Sequence, residues 1–93
     1  MNHPAQATAA TEKRMNYGQC QAIKVLAAHR MNLDPACVAD ATAMMQGASV
    51  HPIVFASVSR EACRIHNALA LDETSVRAAN GHVATLMAEY GFA

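Results

Sequence analysis

Cys63 and His66 stand three residues apart, a spacing that would set a thiolate and an imidazole on one helical face as two ligands for a metal. The remaining ligands would have to come from Cys20, Cys37 or His29, and none of these shows the close pairing of a structural zinc motif. The same Cys and His, or the hydroxyls of Ser57 and Ser59, would be the candidate nucleophiles of a hydrolase. Neither serine stands in an elbow-type turn, no oxyanion hole is recognisable, and paired carboxylates for acid–base work are missing. The sequence therefore predicts no catalytic centre, no metal site and no cofactor. Arg60 and Arg64, one turn apart with Glu61 between them, read as a solvated face or as a grip for an acidic patch on a partner.

Composition narrows the function classes further. Seven Lys plus Arg balance seven Asp plus Glu, so no long-range positive field draws in nucleic acid or an anionic membrane. Three cysteines are an odd number without the regular spacing of a disulfide scaffold, and they read as reduced thiols in a cytoplasm. Residues 1–14 hold no apolar core for a signal peptide, and no run approaches the roughly 18 to 20 apolar residues that a membrane span requires. A cytoplasmic protein is the expectation. A chain of 93 residues suits one small domain. Much of its 53% hydrophobic content is Ala, which favours helix but buries little area, so a homodimer or a protein partner is expected to complete the burial.

The elements that would position these residues are all helical. Residues 1–14 read as a flexible N-terminal tail and residues 15–93 as a single all-α domain, a small four-helix bundle built from two helical hairpins. Asn16 caps the first helix with Gln19 reaching back, and Met15 and Cys20 are spaced as a hydrophobic staple. Cys20, Ile23, Leu26, Ala27 and Met31 form its inward stripe, with Lys24 facing water. Twice a Leu-Asp step, Leu33-Asp34 and Leu71-Asp72, starts a new helix, with Asp as the cap and Leu stapled to Val38 or Val76. Pro35 would open the second helix and Gly47 end it, with Val38, Ala41 and Met45 inward and Met44 beside them. Residues 50–58 are rich in β-branched side chains and admit an extended reading. The spacing of Val54, Val58, Ile65 and Leu69, with Pro52 in a first turn, favours a third helix, and Ser57 and Ser59 are where a break in it could fall. The fourth follows Asp72, keeps phase across Asn80-Gly81 and ends at Gly91.

That last helix carries a seam two heptads long, Val76, Ala79, Val83, Leu86 and Tyr90, with Met87 beside it. Val76, Val83, Leu86, Met87, Tyr90 and Phe92, extended by Met44 and Met45, are the residues expected to form a dimer or partner interface, because Met is an adaptable contact and aromatic side chains anchor interfaces. The segments Leu26–Val38 and Arg64–Arg77 each resemble the helix-turn-helix of bacterial transcription regulators. Ala28, Asn32, Leu33 and Val38 match that pattern, whereas His66 and Ala70 depart from it. The resemblance implies DNA recognition, for which Thr74, Ser75 and Arg77 are the available side chains. Asp72 and Glu73 beside them would repel phosphate, so nucleic acid is not the expected partner. The sequence instead predicts a non-enzymatic adaptor or inhibitor that binds another protein, its partner class a transcription regulator whose oligomerisation it blocks. DNA binding is the alternative, and a thiol- or metal-responsive sensor using Cys63 the third reading.

Overall fold

A computed structural model describes residues 13–92; most of the tail expected over residues 1–14 lies outside them. Four helices follow in order: α1 (Tyr17–Arg30), α2 (Val38–Met45), α3 (Pro52–Leu69) and α4 (Glu73–Glu89). The all-α, four-helix architecture is the one the periodicity predicts.

The caps explain most of the boundaries. Asn16 Oδ1 accepts from Gln19 N–H at 2.8 Å and Gln19 Oε1 accepts from Asn16 N–H at 3.0 Å, which is the expected capping box. Three of the four helices close in the same way, with a left-handed residue just past the end. These are Asn32 (φ 60°), Gly47 (φ 91°) and Gly91 (φ 79°). In each case two N–H groups return to the last turn, as with Leu33 to Ala28 O, Ala48 to Ala43 O and Phe92 to Met87 O, so the free carbonyls are satisfied. Asp72 caps α4 as expected, accepting from Thr74 and Ser75 N–H. α4 runs unbroken through Asn80-Gly81.

Three expectations need correction. Asp34 does not cap α2 and Pro35 does not open it. Asp34 is itself left-handed (φ 51°), whereas an N-cap needs extended backbone, and the helix begins only at Val38 after a left-handed Cys37 (φ 66°). The β-branched stretch is helical from Pro52, with no break at Ser57 or Ser59. His51 Nδ1 caps it by accepting from Ile53 N–H at 3.1 Å, and the Ser57 hydroxyl donates back to Ile53 O at 3.0 Å. Finally, the staple from Leu71 to Val76 is not made: Leu71 projects from the α3–α4 link with 91% of its surface exposed.

α1 is the central element. Ala22, Ile23, Val25, Leu26, Ala27 and Ala28 are all buried, too many neighbours for the single stripe expected, and a helix apolar on several sides is one surrounded by others. Accordingly α1 packs against α2, α3 and α4, whereas α3 and α4 touch each other little. Ala41, Met44 and Met45 of α2, Val58, Ala62 and Ile65 of α3, and Leu86 of α4 complete the core, with Phe92 folded onto it from beyond Gly91. Gln19, the one buried polar residue among those described, donates from Nε2 to Met44 O at 3.2 Å and Met45 O at 3.4 Å, tying the start of α1 to the end of α2. At the other end of α1 the Arg30 guanidinium forms a bidentate pair with Glu89 of α4.

Candidate functional site: an apolar cleft between three helices

Because α3 and α4 diverge while both rest on α1, their facing sides do not meet. They become the walls of an open cleft of about 300 Å³. Ile65, His66, Leu69 and Ala70 form the α3 wall; Val76, Ala79, Asn80 and Val83 form the α4 wall; Met15, Cys20, Ile23, Lys24 and Ala27 supply the floor. The lining is overwhelmingly apolar. Lys24 is the only Lys or Arg among its lining residues, and no carboxylate lines it. Lys24 was expected to face water; it is half-buried at the floor instead, its ammonium donating to Gln21 Oε1 at 3.5 Å.

The expected interface residues divide into three groups. Val76 and Val83 both stand on the α4 wall of the cleft, Val76 exposed and Val83 half-buried, and are the two that the fold places on an accessible apolar surface. Met87 and Tyr90 are half-buried against the core, and the Tyr90 carbonyl accepts from Lys13 Nζ at 3.2 Å. Met44, Met45, Leu86 and Phe92 are buried within the monomer. The Lys13 ammonium also stands 4.5 Å above the Phe92 ring, so Lys13, read from the sequence as tail, joins the domain.

Thr74, Ser75 and Arg77 are committed locally. The Ser75 hydroxyl donates to Asp72 Oδ2 at 2.7 Å, Thr74 and Ser75 N–H close on the same carboxylate, and Arg77 pairs with Glu73 at 3.2 Å. The Ser75 hydroxyl and the cap hold the Asp72 carboxyl below its usual range, which keeps a negative charge at the end of the helix that would have to approach phosphate. The first segment resembling a helix-turn-helix joins its helices through Met31 to Cys37, longer than the three- or four-residue turn of that motif.

Arg60 and Arg64, the candidate grip for an acidic partner, are both exposed, and Arg64 is held by Glu61 at 2.6 and 2.7 Å. Cys63 and His66 are both exposed on α3, His66 at the wall of the cleft, and the Cys63 sulfur accepts from Asn67 Nδ2 at 3.7 Å; among the described residues no three His, Cys, Asp or Glu converge. No described helix is long and apolar enough to cross a membrane.

Sequence reasoning missed the cleft because its walls are the inward stripes themselves. Ile23, Ile65, Leu69 and Ala79 are all at core-type positions, and nothing in their spacing records that α3 and α4 splay apart. A smaller apolar patch, Tyr17 with Phe55 (ring centroids 6.1 Å apart) and exposed Ile53, lies near the start of α1 and α3. No family model matches the chain, and no curated protein or solved structure is significantly similar to it.

Proposed function

We propose that this chain is a non-enzymatic protein-interaction module whose docking surface is the cleft between α1, α3 and α4. The observation that carries the reading is an open apolar trough between two helices, lined by Ile23, Ile65, Leu69, Val76 and Val83, with small Ala79 on one wall. Such a trough accepts the apolar face of a helix, with large side chains at three- and four-residue steps entering it. Ala79 lets the visiting backbone come close, and Lys24 favours an acidic side chain opposite it. The partner class suggested by the sequence, a transcription regulator whose own helix-on-helix contact is displaced, belongs to this proposal.

Affinity capture with the full chain in its native host tests it. A partner bound by the wild type and by Ala84→Glu, a change on the exposed side of α4, but lost with Val83→Glu, supports docking in the cleft. A partner retained equally by both variants contradicts it.

A further inference from the structure

Cleft and candidate filling lie on the same helical hairpin. Leu71 follows directly on Leu69 and Ala70, which line the cleft, and it is the most exposed of the large apolar side chains among the described residues. The next two residues, Asp72 and Glu73, are carboxylates. The cleft presents the complement: apolar walls, the Lys24 ammonium, the His66 imidazole, and no acidic residue.

We propose that a second copy of this chain fills the cleft, Leu71 of each protomer entering between α3 and α4 of the other while Glu73 meets Lys24 across the contact. The proposal rests on the reading of the cleft as a docking surface and names its occupant. Because knob and hole belong to one hairpin, a single two-fold axis makes both contacts at once, as a self-complementary interface requires. Among the described residues Glu73 is held by an exposed pair with Arg77 one turn away, a contact readily exchanged for another. A formal net charge of zero leaves no long-range repulsion between copies. Residues 1–12 are a poorer filling, since Met1 is their only large apolar side chain. Self-association then withholds the cleft from any other helix, so the dimer is the closed form and the monomer the capturing one.

Sedimentation equilibrium of the full chain over a concentration series tests the proposal. The wild type is expected to dimerise, and Leu71→Asp to raise the dissociation constant by about thirtyfold or more, the loss of a buried anchor, with helicity unchanged, and melting unchanged at concentrations where both chains are monomeric, because Leu71 supports nothing within its own protomer. Lys24→Glu weakens the dimer, and adding Glu73→Lys restores it. The proposal is overturned by a wild type that stays monomeric, by a Leu71→Asp dimer as tight as the wild type, or by dimers that appear only when residues 1–12 are removed, which would assign the cleft to those residues. A monomeric wild type whose partner capture is still lost in Val83→Glu overturns the occupant alone; capture indifferent to Val83→Glu overturns the docking reading as well.

Discussion

Glu61 Oε2 accepts from the Ala36 backbone N–H at 2.6 Å while the same carboxylate holds Arg64 at 2.6 and 2.7 Å. One side chain of α3, only 11% exposed, thereby fixes the left-handed connector between α1 and α2. The Arg64 guanidinium first, and then the Ala36 N–H, lower the Glu61 pKa from 4.5 to about 2.

A folded-state pKa below the unfolded one contributes stability that is complete above about pH 4.5 and is lost as the pH falls towards 2. Arg64 is largely in water, which screens the pair, so the contribution is about 1 kcal/mol. Chemical denaturation of wild type and Glu61→Gln checks this: the two should differ at pH 7 and converge near pH 2. The Glu89 carboxyl, lowered by its hydrogen bonds to Arg30, and the Asp72 carboxyl act with the same sign.

Gln19 is buried and spans three backbone groups, with Oε1 on Asn16 N–H and Nε2 towards Met44 O and Met45 O. Gln19→Leu keeps the volume but strands these groups, and should cost about 1–3 kcal/mol in thermal or denaturant unfolding. Gln19→Glu places a carboxylate against two carbonyl oxygens and should cost more at pH 7, with part of the loss recovered on acidification as the carboxyl regains a donor.

Gly81 lies inside α4, and a Cβ built there meets nothing within 4 Å. Gly81→Ala should therefore stabilise the protein by about 0.5–1 kcal/mol, seen as a higher melting temperature, by removing backbone freedom from the unfolded chain. Unchanged or lower stability would mean that the exposed side of α4 is covered at this position.

Leu86 and Val83 share one helix and separate folding from docking. Leu86 is buried against α1, so Leu86→Ala should destabilise the fold by about 2–5 kcal/mol. Val83 lines the open cleft, so Val83→Glu should leave helical circular dichroism intact and change binding.

The helices were legible in the chain because caps and stops are local chemistry. Asn16 with Gln19, Pro52, Asp72, Gly47 and Gly91 each act within one turn of their own position. Asp34 misled because its backbone, not its side chain, decides its role: a left-handed residue looks like any other Asp in sequence. Half of the expected interface residues, Met44, Met45, Leu86 and Phe92, are instead interior, since periodicity marks an apolar face without saying whether a helix of the same chain already covers it. The centrality of α1 is what covers them, and the divergence of α3 from α4 is what leaves Val76 and Val83 open.

Cys20 lines the cleft whereas Cys37, similarly half-buried just before α2, does not, so one molecule carries both a probe of the site and its own control. Alkylation rates of the two thiols, followed by mass spectrometry as the chain is concentrated or its captured partner is added, test the central claim whatever fills the cleft. Docking predicts that Cys20 becomes protected while Cys37 reacts as before; binding or self-association that leaves the Cys20 rate unchanged would contradict it.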